Sequence, residues 1–308
     1  MTPAVTAPIL LDAGQSTRGW HRNQTMLRCA QLFAYKYLLG LNVTGEPRIK
    51  GSLAHIGAAH HYARMQARQQ GWDPDRYHDP MTAIELLAAS EGPDWTKHVP
   101  KIQAAIRAYV DKYGLDEVFE VLAVEQQYHH RIAAPPGTTR VAKDPVTGDL
   151  RRDLPEVPVE SFLFSLRADL TVRDRSTGRV RWIDHKSTGR VHGSSQVRKF
   201  TLSGQFLGMQ VVGAEFYGDK WGGCQVNFIG LEPPHSFLRR APPAAPNALA
   251  HFEQAIVDSE MEQIRLEREG RDPWSYPKKL NEQVCGGRYG PCDGWDLCQW
   301  GRIKGGAL

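Results

Sequence analysis

Residues 161–187 read SFLFSLRADLTVRDRSTGRVRWIDHKS, and the alternation within them decides the fold. Phe162, Phe164, Leu166, Ala168, Leu170 and Val172 interleave with Leu163, Ser165, Arg167, Asp169 and Thr171, the two-residue period of a half-buried strand. The charged stretch Arg173 to Gly178 suits a hairpin loop, and a second strand returns from it. On that strand Val180, Trp182, Asp184 and Lys186 point one way, while Ile183 and His185 point the other. An acid and a lysine therefore share one face near a strand end, and the partner strand offers Asp169.

Carboxylates on adjacent strands can hold a divalent cation, because hard cations prefer oxygen ligands. A neighbouring lysine can orient water or stabilise negative charge on a phosphate under attack. Asp184 and Lys186 read equally as a solvated strand end carrying a surface ion pair, so the rest of the chain has to choose.

Composition sets the outer limits. The chain has 308 residues, 41% hydrophobic and 23% charged, the profile of a globular protein able to bury a sizeable core. No stretch approaches the roughly 20 apolar residues of a membrane span, and MTPAVTAPILLDAG lacks the basic start and apolar run of a signal peptide. These features predict a cytoplasmic protein, of a bacterial cell or a phage-infected host, with no membrane partner. A formal charge of +4 permits a polyanionic partner without demanding one.

Working outward, Asn23 to Leu39, Gly51 to Gln70 and Val99 to Tyr113 carry helical periodicity. In the second of these, Gly57, Ala58 and Ala59 allow close approach to a sheet, His55 lies in the first turn, and the adjacent His60 and His61 point apart. Phe119 to Arg131 reads as a strand whose apolar face, Phe119, Val121 and Ala123, runs into Glu125. Glu125 is then either a third acid for the site or the exposed end of a strand. Ala133 to Pro158, rich in proline, glycine and charge, reads as a surface insertion, a gate for substrate or inert decoration.

Beyond the hairpin, Arg190, His192, Arg198 and Lys199 lie among glycines and serines, a composition suited to phosphate-backbone contacts or to a solvated loop. Leu202 to Tyr217 reads as a helix with Leu202, Phe206, Met209, Val212, Gly213 and Phe216 inward and Gln205 flanking. Trp221 to Leu231 reads as a strand containing Cys224, and Asn247 to Gly270 as a long charged helix. The implied fold is mixed α/β, with helices on both sides of a small sheet centred on the hairpin.

The five cysteines argue against a disulfide framework, being odd in number. Three of them, Cys285-x6-Cys292-x5-Cys298, crowd an irregular tail at 285–298, and Cys29 is the candidate to complete a site. Structural zinc prefers two tight pairs, and the tail has no histidine. Four thiolates so placed fit an iron–sulfur cluster, most simply 4Fe–4S, which would clip the two chain ends together.

The ordered set Cys29, Gly51-x3-His55, Glu125, Asp169, Asp184-x-Lys186, Gln205 and the tail cysteines resembles the PD-(D/E)xK nuclease superfamily. More narrowly, it is similar to the iron–sulfur exonuclease branch of bacterial helicase–nuclease recombination complexes, CRISPR adaptation nucleases and related phage proteins. The resemblance implies one restriction-endonuclease-like domain over the whole chain, joined at its ends by the cluster. It implies a deoxyribonuclease, an exonuclease in DNA recombination or repair, using one or two Mg²⁺ or Mn²⁺ ions and leaving 5′-phosphate ends.

Carried over residue by residue, His55, Asp169 and Asp184 would be metal ligands and Lys186 the catalytic lysine. The His185 backbone carbonyl would face the metal, Glu125 would be an accessory acid, and Gln205 would contact DNA or brace the lysine. Met209 stands where the family commonly has a tyrosine, four residues after that glutamine. No G-x4-G-K-[ST] motif is present, so coupled unwinding would come from a helicase partner. The alternative is a DNA-binding or assembly module of the same fold without activity.

Overall fold

The computed structural model describes residues 8–12, 16, 18–41, 46–114, 117–279, 285, 292, 294, 297 and 298. Its first half runs α1 (Trp20–Arg28), α2 (Ala30–Phe33), α3 (Glu46–Gln69), α4 (Pro80–Glu91), α5 (Pro93–Thr96), α6 (Val99–Tyr113) and β1 (Phe119–Ala133). Four two-residue strands follow: β2 (Thr139–Arg140), β3 (Ala142–Lys143), β4 (Leu150–Arg151) and β5 (Val157–Pro158). Then come β6 (Ser161–Asp174), β7 (Val180–Thr188), α7 (Ser194–Arg198) and α8 (Gly204–Tyr217). The chain continues through β8 (Trp221–Gly230), β9 (Phe237–Arg240), α9 (Pro246–Ala250) and α10 (Phe252–Arg268).

The main sheet has the order β1-β6-β7-β8-β9. The pairs β6–β7 and β8–β9 are antiparallel and β7–β8 is parallel, so the sheet is mixed. A parallel neighbour cannot be reached by a tight turn, and α7 and α8 supply the crossover between β7 and β8. This is an α/β fold with a small mixed sheet flanked by helices, matching a restriction-endonuclease-like core.

Two compact units emerge from the chain: residues 1–16, 44–128 and 166–249 form one, and residues 17–43, 129–165 and 250–308 form the other.

In the first unit, α3, α4 and α6 pack against one face of the sheet. Leu53, Ile56, Ile84, Ile102 and Ile106 make a core with Leu170, Ile183 and Ile229. On the opposite face Trp182 meets Tyr217 of α8 edge to face at 6.1 Å. Helices on both faces explain why β6 is buried on both sides from Phe164 to Val172 apart from Arg167, where alternation alone predicts a half-buried strand.

Gly57 serves helix packing rather than sheet approach. A Cβ there would stand 2.8 Å from Ile84 Cδ1 of α4 and 3.1 Å from Ile106 Cγ1 of α6. In α8, Phe206, Met209, Val212 and Gly213 are buried, whereas Leu202 and Phe216 are 72% and 62% exposed. Leu202 precedes the first helical residue, Gly204, so the helical period does not reach it. His60 is structural: its Nε2 accepts the Leu11 N–H at 3.1 Å, and its Nδ1 donates to the His78 carbonyl at 3.1 Å.

The second unit contains a small core of Met26, Ala30, Phe33, Ala34, Leu266 and Tyr276. The helix expected over Asn23 to Leu39 is broken: Cys29 is extended (φ −164°, ψ 112°), and Ala34–Leu38 winds as a π-helical turn. A buried ion pair, Arg22–Glu260 at 2.7 Å, and a part-buried one, Arg140–Glu267 at 3.0 Å, neutralise charges along α10. Residues 133–158 contain two small antiparallel ribbons, β2 with β5 and β3 with β4.

The iron–sulfur clip expected between the chain ends finds no support among the described residues. Among the described residues, the one group of histidine, cysteine, aspartate and glutamate side chains close enough to hold a metal ion is His55, Glu125 and Asp169, and it contains no cysteine. No described helix is long and apolar enough to cross a membrane.

Candidate metal centre

The register between β6 and β7 builds the centre. Leu170 pairs with Ile183 and Thr171 with Trp182, and one step beyond lie Asp169 and Asp184. The two-residue period then puts Asp169, Asp184 and Lys186 on the same face. Helix α3 crosses the end of β7, with Gly51 so close that a Cβ there would lie 3.6 Å from Ser187 Oγ. Four residues on, and so on the same face of the helix, His55 Nδ1 reaches to 3.4 Å from Asp169 Oδ2.

Glu125 arrives by a backbone irregularity. In β1 the buried residues are Phe119 and Val121 before it, then Tyr128, His130 and Ile132 after it, so the parity changes. Glu125 has φ +54° and is the non-glycine residue with positive φ among those described. One residue in the left-handed region, inserted into a strand, shifts the face of everything beyond it. The side chain then joins His55 and Asp169, with one ligand atom from each residue all within 4.8 Å.

These acids are crowded and partly shielded from solvent. Burial pushes the Glu125 carboxyl up to about 9, reinforced by the negative charges of Asp169 and Asp184, and its Oε1 has no hydrogen-bond partner among the described residues. Burial also raises Asp169, against the opposing pull of His55. The His185 N–H donates to Asp169 Oδ2 at 2.7 Å and fixes that carboxylate.

Asp184 is engaged differently. Its Oδ1 accepts from Gln205 Nε2 of α8 at 2.6 Å, and its Oδ2 lies 2.8 Å from Lys186 Nζ. Gln205 Oε1 in turn accepts from Lys186 Nζ at 3.2 Å, which closes a three-membered ring of contacts. Burial pulls the Lys186 ammonium down, but Asp184 and Asp169 outweigh it and hold the group above the ordinary lysine value. Lys186 therefore stays charged at neutral pH.

The expected residues thus fall into two linked sets. His55, Glu125 and Asp169 form the ligand group, while Asp184, Lys186 and Gln205 form the neighbouring ring. Met209 is buried in the core beneath α8. Sequence reading left Glu125 between two roles, and the signal that locates it is the switch of apolar parity from Phe119 and Val121 to Tyr128 and Ile132. It missed Tyr62, Tyr109, Asn227 and Arg239, which pack behind His185 and carry no motif.

The 4Fe–4S cofactor is corrected at the level of side chains. Among the described residues, no three of Cys29, Cys285, Cys292 and Cys298 bring their sulfurs within 4.8 Å of one another. Burial, reinforced by neighbouring thiols, pushes Cys292 and Cys298 above the ordinary thiol value. Cys285 donates its S–H to the Lys279 carbonyl at 3.2 Å. Cys224 is buried in β8, and burial pushes its thiol up to about 12.

Residues 21–299 match the sequence family described as the PD-(D/E)XK nuclease superfamily. No curated protein matches the chain. Among solved structures, that of SSO0001 is similar at 12% identity, covering 75% of this chain and 84% of that one with a TM-score of 0.26, a likeness too distant to carry an argument.

Proposed function

The chain belongs to the PD-(D/E)XK nuclease superfamily, and from that premise we propose that it is a divalent-metal-dependent deoxyribonuclease. The observation that carries the proposal is the convergence of His55, Glu125 and Asp169 beside the Asp184–Lys186 pair. Carboxylate oxygens with one imidazole suit Mg²⁺ or Mn²⁺. The buried, unpartnered Glu125 Oε1 needs either a proton or a cation, which is the mark of a site built around one.

His55, Asp169 and Glu125 would hold the ion, with Asp184 and the His185 backbone carbonyl as further oxygen donors. When bound, the ion supplies Lewis acidity toward the scissile phosphate and lowers the pKa of the attacking water. Lys186, kept charged and aimed by Asp184 and Gln205, positions that water and stabilises the negative charge that develops on the phosphate. Exposed Arg190, His192, Arg198 and Lys199 lie just after β7 and suit the DNA backbone.

The finer reading is an exonuclease that leaves 5′-phosphate and 3′-hydroxyl ends, works in recombination or repair, and relies on a helicase partner for unwinding. It rests on the resemblance of the motif set.

A digestion assay tests both levels, using linear and circular DNA, single- and double-stranded, with Mg²⁺ or Mn²⁺. Cleavage lost in Asp184→Ala supports the nuclease, and cleavage of linear forms alone supports the exonuclease. No cleavage under any metal condition, with DNA still bound, would replace the proposal with a binding module.

A further inference from the structure

Behind the metal centre lies a buried polar cluster that the chemistry so far does not use. His185 sits between Asp184 and Lys186, and strand parity sends its ring to the opposite face of the sheet. There the imidazole stacks on Tyr62 of α3 at 5.6 Å with an interplanar angle of 12°. Tyr109 of α6 meets it edge on at 6.3 Å and 81°. Asn227, its register partner on β8, donates from Nδ2 to His185 Nδ1 at 2.7 Å.

The cluster is linked by its own hydrogen bonds, although His185 Nε2 and Asn227 Oδ1 have no partner among the described residues. Asn227 Nδ2 also donates to the Tyr109 hydroxyl at 2.9 Å, and the Tyr109 and Tyr62 hydroxyls are 2.7 Å apart. Arg239 of β9 donates to both hydroxyls, at 2.7 and 3.1 Å. Asn227, His185, Tyr62 and Tyr109 are each no more than 1% exposed. For stability alone, apolar side chains of similar volume would fill this space as well or better. What a buried hydrogen-bonded network adds is a preferred arrangement of the groups it links.

That arrangement is transmitted forward by one residue. The ring of His185 is gripped from behind, and its backbone N–H grips Asp169 Oδ2 in front at 2.7 Å. We infer that Asn227 and Tyr62 are positioning residues: by locking the His185 ring they fix the peptide that orients Asp169 and presents Asp184 and Lys186. The inference rests on the nuclease reading for its consequence in turnover, and on geometry alone for its consequence in metal binding.

The test uses the full chain with Asn227→Leu, nearly isosteric but without the donor, Tyr62→Leu, which loses the stack, and Tyr62→Phe, which keeps it. Three measurements are made: Mn²⁺ affinity by calorimetry, the His185 ring tautomer by ¹⁵N NMR, and kcat and KM on DNA. Asn227→Leu and Tyr62→Leu are expected to weaken Mn²⁺ binding about tenfold and to lower kcat by about 10- to 100-fold. KM for DNA should stay within about twofold. The His185 signals should pass from one tautomer to a mixture, and Tyr62→Phe should match the parent throughout.

Unchanged Mn²⁺ affinity with a single tautomer in both leucine variants would overturn the inference, as would a raised KM at constant kcat. If the parent cleaves no DNA, the nuclease reading fails on its own, while Mn²⁺ affinity and the NMR signature still decide the positioning role. Should Asn227→Leu not fold, Asn227→Ser, which cannot span to the ring, is judged by the same measurements.

Discussion

The backbone N–H of His185 donates to Oδ2 of Asp169 at 2.7 Å, and the same Oδ2 lies 3.4 Å from Nδ1 of His55. One carboxylate oxygen therefore ties the β7 backbone to a ring carried by α3. Glu125 brings a carboxylate oxygen within 4.8 Å of ligand atoms of both His55 and Asp169, while Asp184 is turned toward Lys186 and Gln205.

Lys186 acts through its compact ammonium, held in place by Asp184 and Gln205. Lys186→Ala and Asp184→Ala should each lower the DNA cleavage rate by roughly 100- to 1,000-fold. Lys186→Arg should not restore it, because a planar guanidinium cannot take the same place between two acceptors. Single-turnover digestion at saturating Mn²⁺ gives the comparison.

Glu125 makes metal binding and stability depend on pH in opposite ways. Its carboxyl is held near 9 against an ordinary value of 4.5, so the fold favours the protonated form. The stabilisation from that proton is full below about 4.5 and is lost as pH rises through about 9. Metal-free protein should therefore lose stability over this range. Glu125→Gln, which carries no proton to lose, should melt higher than the parent near pH 8 by on the order of 5 °C. Mn²⁺ affinity of the parent should rise with pH across the same window, because binding displaces the proton, and Glu125→Gln should flatten that rise. Thermal melts and calorimetric titrations read the two effects.

His60 contributes the opposite slope. Burial pushes its imidazole down to about 4, so the folded chain keeps it neutral while the unfolded chain takes up a proton near 6.5. The stability it brings is present above about 6.5 and lost as pH falls through about 4. Replacing it with Gln should lower stability at neutral pH by about 1 to 2 kcal/mol and make the remaining stability less sensitive to acid. Denaturant unfolding near pH 7 and pH 5 separates the two.

Gly213 of α8 faces the Trp221 indole so closely that a Cβ would lie within 2.7 Å of three ring atoms. Alanine would gain helix propensity, about 1 kcal/mol, yet the rigid ring and packed core cannot yield. Gly213→Ala should destabilise the protein by roughly 1 to 3 kcal/mol and, by shifting α8, loosen Gln205 from Asp184. Chemical denaturation measures the first effect and cleavage rate the second.

Arg198 and Lys199 are exposed beside α7. If they bind phosphates, the double change Arg198→Ala and Lys199→Ala should weaken DNA binding about equally for all sequences. It should also reduce the slope of log affinity against log salt by about 1 to 2. A salt series of binding isotherms checks this, with Asp184→Ala as background to prevent digestion.

The sequence by itself determined what local periodicity controls. Alternation in β7 placed Asp184 and Lys186 on one face, since side-chain direction along a strand depends only on parity, whereas the β6–β7 register put Asp169 beside them. Periodicity located α6 at Val99–Tyr113, and the order of motifs pointed to the family that residues 21–299 match. Convergence of groups far apart in the chain was another matter, because packing decides it and no local period encodes packing. The positive φ of Glu125 turned that acid toward His55, and contacts across β7, β8, α3 and α6 gathered the cluster behind His185. The same reason lies behind the correction at the cysteines: their spacing suggested a shared cluster, but spacing along the chain does not say whether four sulfurs meet. Tertiary contacts decide that, and among the described residues the side chains close enough to hold a metal ion are His55, Glu125 and Asp169.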